Sequence, residues 1–154
     1  MRKRTIWFMG FAIMIAVICV AFVSIKTLNQ TIYKSRSCEW ANIDNIESRT
    51  LTDIPHTEDC KCKYSAPEAV KKTAFKLELS ADEIAKYAIE NKFEVVDKPD
   101  GRLLKNFEEF GVNTETLAKG QILHKTADRP GQESYTLVLH PESKTLLVYL
   151  KYFS

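Results

Sequence analysis

Positions Ile6 to Ile25, IWFMGFAIMIAVICVAFVSI, form an uncharged run of 20 residues. A helix of that length rises roughly 30 Å, the hydrocarbon thickness of a bilayer. A surface helix would show a polar face, and this run shows none. The pattern therefore predicts a transmembrane helix over 6–25 that contacts the lipid bilayer. A cleaved leader fits less well, because its apolar core normally spans about 7–15 residues and ends in small residues at the cut.

The pattern changes after Ser65-Ala66-Pro67. Phe75-Lys-Leu77-Glu-Leu79 alternates apolar and polar, the period of a half-buried strand. Ser80 and Glu83 form a capping box, and Ile84, Tyr87 and Ala88 continue a helical stripe. Leu103, Leu104, Phe107 and Phe110 predict about two helical turns closed by Gly111. The chain then reads as a meander with strands over 121–128, 133–140 and 145–153. Counting outward from the turn at 129–132 pairs Asp128 with Glu133 and His124 with Leu137. The last strand, Leu146 to Phe153, is apolar on both faces apart from Lys151. Such a strand is normally central in its sheet, although an edge open to strand addition by a partner is the competing reading.

The expected fold class is therefore α+β: a single N-terminal transmembrane helix, then one strand, one main helix and a three-stranded antiparallel meander. Residues 1–5 form a basic tail, 6–25 the anchor, 26–64 a stalk with a stapled loop, and 65–154 the small folded domain. Within the stalk a short helix from Cys38 to Ile46 is expected, with Trp40 and Ile43 facing the domain.

Charge adds orientation. Four of the 22 basic residues, Arg2, Lys3, Arg4 and Lys26, flank the apolar run, so residues 27–154 carry 18 basic against all 20 acidic residues. A nearly neutral exposed region argues against nucleic acid as a partner. The basic cluster before the run predicts a cytoplasmic amino terminus, inner-membrane location and a domain on the far side.

Cys38, Cys60 and Cys62 follow the anchor, and an exported domain would place a disulfide among them. Cys38 with Cys60 or with Cys62 closes a loop worth about 3 kcal/mol on the chain-entropy model. The odd cysteine is then available to link a second copy of the chain. His56, Cys60 and Cys62 are also ligand types for zinc or copper(I), but His-x3-Cys-x-Cys matches no strong metal signature. No metal or cofactor is expected.

His56, His124 and His140 lie in separate elements, and the chain contains no nucleophile elbow, phosphate loop or dinucleotide fingerprint. No catalytic residue is assigned. The pattern instead favours an envelope protein that binds another protein, for example an immunity or inhibitor protein that occludes its partner. Glu108, Glu109, Tyr149, Lys151 and Tyr152 are its expected contact residues. The alternatives are an accessory subunit of a membrane complex, and metal or thiol chemistry at His56, Cys60 and Cys62.

Overall fold

A computed structural model describes residues 13–25, 40–96, 100–117 and 119–153, with the backbone alone at 40, 41 and 58. The chain divides into two compact units, Met1–Tyr33 and Lys34–Ser154. In the first, a helix (α1) covers residues 13–25 and leaves its side chains exposed.

The expected membrane anchor is corrected here. Thirteen described residues in α1 rise about 20 Å, short of the roughly 30 Å a span requires. No helix among the described residues is long and apolar enough to cross a membrane. Single-pass topology and inner-membrane placement therefore lack structural support; residues 6–12 of the expected span lie outside the described residues.

In the second unit the elements are α2 (Trp40–Thr50), β1 (Thr57–Ser65), β2 (Val70–Leu77), α3 (Ala81–Glu90), β3 (Glu94–Val96), α4 (Gly101–Lys105), a 3-10 turn (Glu108–Phe110), α5 (Thr114–Leu117), β4 (Ile122–Arg129), β5 (Glu133–His140) and β6 (Thr145–Tyr152). The six strands make one antiparallel sheet in the order β1-β2-β6-β5-β4-β3. The expected single strand plus meander is thus corrected to six strands. The polar segment read as a stapled loop is edge strand β1, and β2 begins at Val70 rather than Phe75.

Strand alternation sends successive side chains to opposite faces. One face carries Phe75, Leu77, Tyr135, Leu137, Leu139, Leu146, Val148 and Leu150. It packs under Ile46 of α2 and Ile84, Tyr87 and Ala88 of α3. Ser80 caps α3 as the sequence predicts: its side chain accepts from the Glu83 N–H while the Glu83 carboxylate accepts from the Ser80 N–H. The other face carries Ala74, Ile122, Val138 and Leu147, covered by Leu104, Phe107 and Leu117 of the α4–α5 segment. Gly111 ends the 3-10 turn at φ 76°, a left-handed conformation in which a glycine carries no Cβ penalty.

β6 lies between β2 and β5 and is buried at Leu146, Leu147, Val148 and Leu150. This excludes the open-edge reading of the last strand. The β4–β5 hairpin is one residue out from the simple count, pairing Arg129 with Glu133 and His124 with Val138. α2 ends four residues later than expected; Ile43 packs against the core, while Cys38 and the Trp40 side chain lie outside the described residues.

Candidate functional site

The helical layer over the second face is short. α4, the 3-10 turn and α5 together cover the strand positions that include Ala74, Leu147 and Val138. Towards the other end of the strands the face becomes polar. Register places Lys63 of β1 beside Lys72 of β2, Lys72 beside Tyr149 of β6, Tyr149 beside Thr136 of β5, and Thr136 beside Thr126 of β4. Five side chains from five strands therefore form one transverse row, about 19 Å long at the usual strand spacing. The neighbouring row runs Ser65, Val70, Lys151, Ser134 and Asp128.

Hydrogen bonds fix much of this surface. Glu109 receives the Lys63 ammonium in a short contact and the Lys72 ammonium at 3.4 Å. The Lys63 hydrogen bond is the main reason its carboxyl sits below the usual carboxylate range. Thr126 donates to the Tyr135 carbonyl at 2.9 Å, and its hydroxyl lies 3.3 Å from that of Thr136. Burial, with the Glu68 charge as a second cause, raises the Tyr149 hydroxyl, which therefore remains a protonated donor. A cleft of about 290 Å³ opens where the row meets α4, with Leu103, Leu104, Ile122 and Val138 as apolar walls. Tyr149, Thr136, Thr126, His124 and Asp100 supply its polar rim.

The structure brings together three of the five contact residues expected from sequence. Glu109, Tyr149 and Lys151 share this surface, while Glu108 is exposed beside it and accepts a hydrogen bond from Thr114. Tyr152 is on the opposite face, where its hydroxyl donates to Asn45 of α2 and its ring lies 6.2 Å from that of Tyr64. Sequence groups Lys63 and Lys72 only with Lys61, Lys71 and Lys76 in a local basic stretch, and it does not single out Thr126 or Thr136. Each is an ordinary polar strand residue, and only the register of all five strands makes them neighbours.

The cysteines stand on the core-facing side of β1. Cys60 and Cys62 sulfurs lie 3.9 Å apart, and no two described cysteines are at disulfide distance. The expected link through Cys62 is thereby corrected: Cys62 is a thiol, raised by burial, that donates towards Thr73 at 3.4 Å. Cys60 is disulfide-bonded, and Cys38 lies outside the described residues. The His56 imidazole is exposed and pairs with Glu78 at 3.2 Å, so it does not join the two cysteines. Among the described residues no three His, Cys, Asp or Glu side chains are grouped to hold a metal ion.

Two buried polar groups lie elsewhere. The Lys71 ammonium, in a residue 1% exposed, has no hydrogen-bond partner among the described residues, and burial lowers its pKa to about 8. The buried Glu133 carboxylate lies 2.6 Å from Arg49 of α2 and 3.1 Å from Arg129 of β4. Both stand on the core-facing side of the sheet, the face opposite the polar row. Comparison with protein-family models, curated proteins and solved structures finds no match for this chain.

Proposed function

We propose that this chain is a protein-binding module that occludes its partner, in the manner of an immunity or inhibitor protein, through the polar half of its sheet. The observation that carries this reading is the row Lys63, Lys72, Tyr149, Thr136 and Thr126. These groups project from paired strands rather than loops, so they lose little conformational freedom when a partner seats on them. Tyrosine at the centre with polar residues around it is the composition of a binding surface. Occlusion needs complementarity of shape and hydrogen bonding and asks for no reacting group.

The experiment is site-specific photocrosslinking in cells. A photoreactive amino acid replacing Thr136 or Lys151 should yield a discrete protein adduct, and the same group replacing Lys86, exposed on α3, should not. Lys72→Glu in the same chain should abolish the adduct. Equal labelling from all three positions, or none from 136 and 151, overturns the assignment. Deleting residues 145–154 would not serve, because it removes the central strand.

A further inference from the structure

We infer that the cleft between α4 and Tyr149 receives an arginine side chain of the partner. This deepens the protein-binding reading and rests on it, since Tyr149 belongs to both the polar row and the cleft wall. The volume of about 290 Å³ accommodates one long side chain with some solvent. Leu104, Ile122 and Val138 are buried parts of its wall and match the methylene stem of an amphipathic residue.

Charge selects the head group. Asp100 stands at the rim and, among the described residues, makes no ion pair. One of its oxygens caps α4 by accepting the Arg102 and Leu103 N–H groups, which leaves the second oxygen for a cation. An acidic guest would meet that carboxylate unfavourably, and a purely apolar guest would leave it unused. A guanidinium satisfies it through a charge-assisted hydrogen bond. A guanidinium plane also stacks on aromatic rings better than an ammonium does, and Tyr149 is the aromatic residue lining the cleft.

The test is NMR on the full chain with labelled methyl groups, titrated separately with N-acetyl-arginine amide and N-acetyl-norleucine amide. The arginine probe should produce saturable shifts at Leu104, Ile122 and Val138, with the norleucine probe at least fivefold weaker. Asp100→Asn should reduce the arginine response to the norleucine level while the spectrum stays folded, because asparagine caps a helix as well as aspartate does. Equal responses to the two probes, an Asp100-independent response, or no shifts at these methyls overturns the inference. Adducts at 136 and 151 with a silent cleft would defeat this inference alone. A saturable Asp100-dependent response without those adducts would instead defeat the partner reading.

Discussion

The His140 imidazole is directed onto Gly120 so closely that a Cβ at Gly120 would lie 2.2 Å from Nε2. Its Nδ1 accepts the Ser143 N–H at 3.1 Å and lies 2.8 Å from the Ser143 hydroxyl, while Nε2 has no hydrogen-bond partner among the described residues. Glycine is thus required here by space. Gly120→Ala should destabilise the protein by about 1–3 kcal/mol, the usual cost of overpacking. Gly101, with nothing within 4 Å of its Cβ position, is the control: Gly101→Ala in α4 should be neutral or stabilising by up to about 1 kcal/mol. Urea unfolding of both variants measures the contrast.

The same histidine makes stability depend on pH. Burial pushes the His140 pKa below its ordinary 6.5, against a smaller opposing effect of the Glu142 charge. As pH falls, the unfolded chain therefore takes up this proton first, and its contribution, intact above about pH 6.5, is lost below it. The neutral ring accepts from the Ser143 N–H through Nδ1. His140→Asn keeps an acceptor near that N–H and removes the titration. Its urea midpoint should fall less steeply than wild type between pH 7 and pH 5; parallel curves would refute the assignment.

Lys71 predicts a slope of the same sign at alkaline pH. Its folded pKa of about 8 lies below the ordinary lysine value of 10.5, so between these values the unfolded chain holds the extra proton. Stability should rise with pH across that window, most cleanly between pH 8 and 9.5, before tyrosines ionise. An unsatisfied buried donor costs about 1–3 kcal/mol. Lys71→Met, similar in length and without the charge, should stabilise the protein by about that amount at pH 7 and remove the alkaline rise. Thermal or urea unfolding at pH 7 and pH 9 checks both effects.

These residues also show where sequence reading stops. The capping box at Ser80, the central position of β6 and the inward stripe Tyr135, Leu137, Leu139 follow from local periodicity, and the structure reproduces them. β1 carries the same signal, with Cys60, Cys62 and Tyr64 alternating with Asp59, Lys61 and Lys63. Its apolar positions are two cysteines and a tyrosine, so the alternation reads as a staple rather than a strand. Lys71 and Lys72 conceal the start of β2, because lysine is almost never fully buried, yet Lys71 is. The apolar run at 6–25 predicts a span by length alone, whereas the described helix covers residues 13–25. The polar row is the least legible feature, since a one-residue slip in any strand would turn its member to the other face.

Two carboxylates, each shared by two cations, separate structural from surface electrostatics. Glu133 is 1% exposed and lies between Arg49 and Arg129, tying α2 to the β4–β5 hairpin. Removing this carboxylate takes away both charge-assisted hydrogen bonds but leaves guanidiniums that are each about one third exposed, so Glu133→Ala should cost about 1–3 kcal/mol. Glu109 binds Lys63 and Lys72 at the surface, where solvent screening holds each pair to about 0–1 kcal/mol. Glu109→Ala should therefore change unfolding free energy by less than about 1 kcal/mol, and 0.5 M salt should erase most of that difference. It also releases the two lysines, Lys63 and Lys72, at one end of the transverse row. If the polar face seats a partner, this variant should alter photocrosslinking from position 136 at nearly unchanged stability. Glu133→Ala at a temperature where it remains folded should leave that adduct intact. A loss of adduct that tracks only the fraction folded in both variants would show that Glu109 contributes to the face through stability alone.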